Sequence, residues 1–188
     1  LQMATRKESM VIDPLQIGDL SSLKPVFSNP EICKIFHGAD YDVRSLFRDF
    51  HIEIHNLFDT QIACMFLGIH ETGLDAVLRE RFDVKLDKKY QRKDWSRRPL
   101  PCEMMEYAAR DVIFLLELAR MLTMELEKKG RLYWVAEECE LLSRVRSTPQ
   151  ESQPLFLRFK GAGRLGRRSL GILESLLQFR VALAENRD

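Results

Sequence analysis

The chain has 188 residues, of which 45% are hydrophobic and 30% are charged, and its formal net charge is +1. This composition is typical of a soluble globular protein with one good core and part of a second. No apolar run approaches the roughly 20 residues that cross a bilayer, and no secretory signal opens the chain. The sequence therefore predicts a cytoplasmic protein without a membrane partner.

Strand and helix patterns alternate along the chain, which predicts an α/β sheet. Strands are predicted at residues 1–4, 10–12, 32–36 and 52–58. Helices are predicted at residues 19–27, 41–49, 60–67, 74–81, 103–128 and 132–144, and a leucine-rich helical pattern runs from 166 to 183. Gly68 and Gly130 stand where helices should end, and Asp59 stands where an N-cap should be.

A polar stretch with two prolines, residues 147–154, predicts a linker between domains at residues 1–146 and 155–188. The chain starts at Leu1 directly within a predicted strand, and its last helix has nothing after it to cover the apolar face. We therefore expect the first domain to be incomplete at its N-terminus and the second at its C-terminus. An exposed sheet edge should make such a chain poorly stable or pair it with another copy.

The distributions of charge and of cysteine suggest a phosphate-bearing partner and reduced thiols. Residues 151–188 carry seven Lys/Arg against four Asp/Glu, and residues 85–98 form a second basic segment. Basic segments favour phosphate partners, although a solvated helix face explains the C-terminal arginines equally well. The four cysteines are scattered without a Cys-x-x-Cys pair, which argues against a zinc site and a disulfide framework.

Three residues stand out as candidates for chemistry. Asp42 follows the apolar run at residues 32–36, so it should lie near the carboxyl end of a strand, where open α/β sheets place their sites. Tyr107 and Asp111 are four residues apart and share one face of a largely apolar helix, where a carboxylate usually meets a cation. The alternatives are a helix-start residue for Asp42, a surface acid for Asp111 and a core tyrosine for Tyr107.

Two carboxylates and a tyrosine suggest metal-assisted hydrolysis of a phosphodiester. That reaction uses two ions about 3.5 to 4 Å apart, held by several carboxylates. Asp42 and Asp111 could supply two of the ligands, and Tyr107 could orient or deprotonate a water.

Five motifs carry a resemblance to a known family: His-Gly-Ala-Asp-Tyr-Asp (37–42), Phe-Asp-Thr-Gln (58–61), Leu-Asp-Lys (86–88), Asp-Trp (94–95) with Arg-Pro-Leu (98–100), and Glu-Tyr-Ala-Ala-Arg-Asp (106–111). In their order and spacing the chain resembles ribonuclease D, of the tyrosine-type DEDD 3′-5′ exonucleases. The resemblance implies a ribonuclease H-like mixed sheet flanked by helices. It also implies two divalent metal ions, Mg²⁺ or Mn²⁺, and release of nucleoside 5′-monophosphates from RNA 3′ ends such as those of tRNA precursors.

The resemblance assigns roles to particular residues. Asp42 matches the acid of the second exonuclease motif, while Tyr107 and Asp111 match the water-positioning tyrosine and last acid of the third, so Asp42 and Asp111 are the expected metal ligands. The family's first motif, Asp-x-Glu on the first strand, has no counterpart here. The predicted nucleic-acid-binding residues are Lys88, Gln91, Arg92, Trp95 and Arg98, although Trp95 is more readily explained as a packing anchor.

Residues 155–188 resemble the opening of the small helical HRDC domain that follows the nuclease in ribonuclease D. Gly-Ala-Gly-Arg-Leu-Gly at 161–166 matches a dinucleotide fingerprint only formally, because 22 residues leave no room for a βαβ unit, so no nucleotide cofactor is expected. His51 and His55 alternate with isoleucines as in a strand and lack zinc-site spacing. The alternative functions are a non-catalytic nucleic-acid-binding module and a DNA 3′-5′ exonuclease.

Overall fold

The computed structural model describes residues 1–86, 89–91, 93–146 and 153–185. The chain divides into two compact units, Leu1–Ser147 and Thr148–Asp188. Two of the predicted substrate-binding residues, Lys88 and Arg92, lie outside the described residues, as does most of the predicted linker. Within the described part of the chain, no helix has both the length and the apolar character needed to cross a bilayer.

The first unit contains two pairs of strands. Strand β1 (Gln2–Ala4) pairs antiparallel with β2 (Ser9–Val11), and β3 (Lys34–Phe36) pairs parallel with β4 (Leu57–Asp59). The parallel pair is joined through a helix, as a parallel connection requires. Together with the surrounding helices, these mixed pairs confirm the predicted α/β class.

The predicted strand at residues 52–58 is wrong over most of its length, because β4 begins only at Leu57. His51 and Asn56 adopt positive φ angles of 52° and 53°, which interrupt extended backbone on both sides of the segment. Ile52 and Ile54 are still buried, so the alternation reflects a loop packed on the core.

The helices of the first unit alternate with these strands and cover them. They are α1 (Pro14–Ile17), α2 (Lys24–Phe27), α3 (Asp40–Phe50), α4 (Thr60–Leu67), α5 (Leu74–Phe82), α6 (Cys102–Ile113), α7 (Leu115–Lys128) and α8 (Leu132–Ser143). A 3₁₀ turn at Ser21–Leu23 precedes α2, within the single helix predicted for residues 19–27.

The helix predicted for residues 103–128 is in fact two helices that meet at Phe114. Helix α6 packs on β1 and β2, whereas α7 packs on α4 and β3, so the two helices cover different surfaces. On α7, Leu118, Leu122 and Leu126 repeat every four residues and are fully buried. Each contributes roughly 1.5–3 kcal/mol relative to an exposed side chain.

The second unit contains two 3₁₀ turns, Leu155–Arg158 and Ala162–Arg164, followed by α9 (Arg167–Glu185). The leucine-rich pattern therefore forms a helix as predicted. The Glu174 carboxylate on α9 accepts a hydrogen bond of 2.9 Å from the backbone N–H of Phe156. Hydrogen bonds from backbone N–H groups of the 3₁₀ turn at Leu155–Arg158 lower the pKa of Glu174. These hydrogen bonds connect the turn to α9.

Candidate active site

Asp42 lies in the first turn of α3, just beyond the carboxyl end of β3. The chain turns sharply between the two elements at Gly38, whose φ is +73°. A Cβ on this glycine would lie 2.9 Å from the Oε1 atom of Gln61. Both the backbone conformation and the lack of space require glycine, so the tight turn that presents Asp42 depends on it.

The buried carboxylate of Asp59 holds this turn in place. It caps α4 by accepting hydrogen bonds from the N–H groups of Gln61 (2.7 Å) and Ile62 (3.3 Å). It also accepts from the N–H groups of Gly38 (3.0 Å) and Ala39 (2.7 Å), immediately before α3. The predicted N-cap is therefore confirmed, and the same side chain fixes the start of the helix that carries the candidate metal ligand.

His37 is held beside the turn by the hydroxyl of Thr60. That hydroxyl donates to the carbonyl of Phe36 (2.8 Å), so it accepts the hydrogen bond that joins it to Nδ1 of His37 (2.8 Å). The proton of neutral His37 is thereby assigned to Nδ1. Burial lowers the pKa of His37, which favours this neutral form.

Asp42 and Asp111 border the same cavity, which has a volume of about 450 Å³. Its walls include both β1 and β3, at residues 1–5 and 32–37. Within the part of the chain that the structure describes, β1 pairs only with β2 and β3 only with β4, so each of the two strands has an unpaired edge. The cavity thus lies between two strands and brings together the acids of two separate motifs.

Both carboxylates are disfavoured as anions by their surroundings. Desolvation of the Asp42 carboxyl group raises its pKa, and the negative charge of Asp59 raises the pKa further, although the residue as a whole is exposed to solvent. Burial alone raises the pKa of half-buried Asp111 to about 6. A cation in the cavity would reverse this effect on both groups, because an opposite charge favours the ionised form.

The donor atoms fit part of a site for a hard divalent cation, because carboxylate oxygens are the ligands that Mg²⁺ prefers. Among the described residues, no group of three or more His, Cys, Asp and Glu side chains could hold a metal ion. The described chain therefore offers no complete metal cage, and the carboxylates that line this cavity are those of Asp42 and Asp111. His51 and His55 form no metal cluster either.

Tyr107 lies one helical turn before Asp111 on α6, against two aromatic rings. Its ring centroid is 5.9 Å from that of Tyr90 and 6.1 Å from that of Trp95. The two neighbours are joined, since the indole N–H of Trp95 donates to the carbonyl of Tyr90 (3.1 Å). Trp95 therefore packs against the candidate catalytic tyrosine.

A second cavity, of about 530 Å³, lies between α6 and residues 84–86 and 89–90. Asp111 lines both cavities, so they meet at this carboxylate. The lining of the second cavity combines aromatic rings with equal numbers of cationic and acidic groups: Tyr90, Tyr107, Phe114, Lys85, Lys89, Arg110, Glu103, Glu106 and Asp111. Neither Lys89 nor Arg110 was predicted as a site residue, although Lys89 lies in the basic segment 85–98 and Arg110 lies within the motif at 106–111.

The other predicted nucleic-acid-binding residues have different surroundings. Gln91 is exposed. Arg98 forms a two-pronged ion pair with Asp13, with Nε to Oδ2 at 2.5 Å and Nη2 to Oδ1 at 2.6 Å. Its guanidinium is therefore occupied within the protein.

Comparison with known proteins shows that the chain is similar to nucleases. Residues 1–127 match a family described as 3′-5′ exonuclease. Protein RRP6-like 3 from Arabidopsis thaliana is 45% identical over 129 residues, which cover 68% of this chain and 14% of that protein. Ribonuclease D from Zymomonas mobilis is 35% identical over 191 residues, which cover 100% of this chain and 49% of that protein.

A solved structure with a similar fold is the catalytic core of RRP6 from Trypanosoma brucei. It superposes with a TM-score of 0.89 at 35% identity, covering all of this chain and 53% of that one. The chain thus spans about half the length, or less, of the proteins it matches.

Proposed function

The chain belongs to the 3′-5′ exonuclease family, with ribonuclease D and RRP6 proteins among its relatives, and we propose that it hydrolyses RNA from the 3′ end to nucleoside 5′-monophosphates. One observation carries the proposal. Asp42 and Asp111, from motifs almost seventy residues apart, border one cavity, and Tyr107 lies one turn from Asp111.

In this proposal Asp42 and Asp111 hold divalent metal, Mg²⁺ or Mn²⁺. When bound, such ions would supply the positive charge that stabilises the transition state of phosphodiester hydrolysis. The Tyr107 hydroxyl orients the attacking water from its position beside Asp111 on α6. The ring contacts with Tyr90 and Trp95 restrict the directions in which that hydroxyl can point.

The cavity between β1 and β3 suggests where the remaining ligands belong. Each bordering strand has an unpaired edge within the described residues, and an extended segment in the cavity could hydrogen-bond to both. We propose that a strand with the family's Asp-x-Glu motif lies there. Its two acids would complete the four-carboxylate set that Asp42 and Asp111 begin.

The second cavity fits the end of a single-stranded RNA. Bases stack on aromatic rings with little sequence preference, and Tyr90, Tyr107 and Phe114 provide such rings. Lysine and arginine side chains neutralise backbone phosphates. We propose Lys85, Lys89 and Arg110 for this role, together with the predicted Lys88 and Arg92. The predicted Gln91 and Trp95 would contact the RNA without neutralising charge, and Arg98 is left out because its guanidinium is paired with Asp13.

The natural substrates proposed are 3′ ends of stable RNA such as tRNA precursors, with residues 155–188 as the opening of an HRDC domain that adds backbone contacts. A cytoplasmic location is part of the proposal. The four unpaired cysteines favour it, because disulfides are rare in reducing compartments.

The test uses single-stranded RNA labelled at its 3′ or its 5′ end, incubated with Mg²⁺ or Mn²⁺. We compare this 188-residue chain with a chain extended upstream through the proposed Asp-x-Glu strand. The expected result is loss of the 3′ label first, with stepwise shortening of the 5′-labelled RNA, by the extended chain. A DNA oligonucleotide of the same sequence runs in parallel, and faster trimming of the DNA would contradict an RNA substrate.

A non-catalytic RNA-binding module is the second candidate, and one observation favours it. The described residues provide only two carboxylates in the cavity. This alternative predicts RNA binding that weakens steeply with salt and no hydrolysis by either chain.

A further inference from the structure

Asp13 and Arg98 form an ion pair between parts of the chain that are 85 residues apart. Both side chains are largely buried, with 24% of Arg98 and 22% of Asp13 exposed. The contact has the two-pronged geometry in which a guanidinium matches a carboxylate, and this geometry fixes orientation as well as distance. The lysines and arginines proposed for phosphate contacts do not explain this pair.

Arg98 also organises the segment that precedes it. Its Nη1 atom donates to the carbonyls of Trp95 (2.7 Å) and Arg97 (2.9 Å). The backbone of Trp95 is thereby tied to the ion pair, while its ring packs on Tyr107 and its indole N–H reaches the carbonyl of Tyr90. A continuous set of contacts runs from Asp13 to Tyr107.

Asp13 is itself fixed at the end of β2. It caps α1 by accepting a hydrogen bond of 3.1 Å from the N–H of Leu15. Helix α6, which carries Tyr107, packs on β1 and β2. The contacts therefore close into a ring, from β2 through Asp13, Arg98 and Trp95 to Tyr107 and back through α6 to β2.

We propose that the Asp13–Arg98 ion pair is a positioning device for Tyr107. The ion pair holds the rings of Tyr90 and Trp95 in contact with the Tyr107 ring. These contacts set the direction of the Tyr107 hydroxyl, one helical turn from Asp111. This inference rests on the proposed exonuclease function, in which Tyr107 orients the attacking water.

The first test is kinetic and uses the full-length protein. Arg98→Lys keeps the positive charge but cannot form two parallel hydrogen bonds to the carboxylate. Asp13→Asn removes the negative charge but keeps the helix cap, since Asn caps as well as Asp does. Each variant should lower kcat for RNA trimming at least about tenfold, because small misplacements of catalytic groups are costly. KM should stay within about threefold, since the substrate contacts remain.

Arg81→Lys is the matched control. Arg81 makes a two-pronged pair with Glu125, at 2.5 and 3.1 Å, and its side chain is 21% exposed, but the pair joins α5 to α7. This variant should lose similar stability and keep the kcat of the unmodified protein. An equal fall of kcat in Arg81→Lys and Arg98→Lys would show general destabilisation and overturn the proposal.

A double-mutant cycle shows whether the ion pair acts through the tyrosine. Once Tyr107→Phe has removed the hydroxyl, Arg98→Lys should lower kcat no further, because groups that act as a unit are not additive. Multiplicative effects in the double variant would overturn the inference.

A spectroscopic test separates this inference from the proposed function. In the 188-residue chain with Trp134→Phe, Trp95 is the remaining tryptophan. Arg98→Lys and Asp13→Asn should shift its fluorescence emission, and Arg81→Lys should not. If the unmodified full-length protein fails to trim RNA, the proposed function is wrong; if the Trp95 emission stays unchanged in both ion-pair variants, the positioning inference is wrong.

Discussion

Asp42 and Asp111 border one cavity, but the turn that carries Asp42 is fixed by backbone hydrogen bonds to the buried Asp59, whereas the neighbours of Asp111 are fixed by ring contacts and one ion pair. The first arrangement uses residues within a few positions of two helix starts. The second joins segments far apart in the chain. Substitutions near Asp42 should therefore lower the free energy of unfolding, and substitutions near Tyr107 should lower RNA trimming or RNA binding.

The largest expected effect comes from removing either carboxylate, because both regions meet at the same proposed metal site. Asp42→Asn and Asp111→Asn should each lower the rate of RNA trimming in the full-length protein about a thousandfold, which corresponds to roughly 4 kcal/mol of lost stabilisation. Unfolding midpoints in urea should not fall, since each change removes a charge that burial disfavours. The measurement is the single-turnover rate at saturating Mg²⁺.

Glu117→Gln controls for loss of one acid, because Glu117 pairs with Arg120 on the exposed surface of α7. Its rate should match that of the unmodified protein. More than about a tenth of the normal rate in Asp111→Asn would remove Asp111 from the set of ligands.

The next effect in size is on stability and tests the Asp42 region. Asp59→Ala leaves four N–H groups without their acceptor, two of them at the start of α4. Each buried donor without a partner costs about 1–3 kcal/mol, and partial access to water reduces the sum, so we expect a loss of about 3 kcal/mol in the free energy of unfolding. Urea denaturation followed by circular dichroism measures it.

Asp19→Ala is the corresponding control, since Asp19 also accepts from a backbone N–H and a hydroxyl, both of Ser21, but is exposed. Its loss should stay below about 1 kcal/mol. Equal losses at the two positions would mean that Asp59 does no more than cap one helix.

Tyr90→Ala tests the Tyr107 region and should act on binding more than on folding. Removing one stacking ring costs about 1–3 kcal/mol of affinity for single-stranded RNA. The apparent Kd measured by fluorescence anisotropy should therefore rise about tenfold, while the urea midpoint changes little. A matched control is Tyr133→Ala, since Tyr133 is 74% exposed on α8 and lines neither cavity.

Local sequence patterns correctly predicted those features of the candidate site that depend only on neighbouring residues. The end of β3, the N-cap at Asp59 and the shared face of Tyr107 and Asp111 all depend on residues within one or two turns. Such features follow from hydrophobic periodicity and capping rules. The family resemblance then gave the correct class of fold.

Features that depend on distant contacts could not be read in the same way. Ile52 and Ile54 alternate as in a strand, yet they are buried in a loop, because alternation reports burial and not hydrogen bonding. The end of α6 at Phe114 follows from the two surfaces that α6 and α7 cover. From charge alone Arg98 was predicted to bind phosphate, and only the fold brings Asp13 to it.

The smallest expected effect sharpens the comparison at the turn before Asp42. Gly38→Ala places a methyl group 2.9 Å from Oε1 of Gln61 and forces a non-glycine residue to φ +73°. The conformational cost is about 1–2 kcal/mol, part of the clash being relieved by movement of the Gln61 side chain. Gly171→Ala in the second turn of α9 should instead stabilise by roughly 0.5–1 kcal/mol, because a Cβ there meets nothing within 4 Å. Changes of opposite sign in the free energy of unfolding of the two variants, measured by urea denaturation, would show that the destabilisation comes from the turn at Gly38 and not from the loss of a glycine. An unchanged free energy in Gly38→Ala would mean that this turn tolerates a side chain and is less rigid than its hydrogen bonds to Asp59 imply.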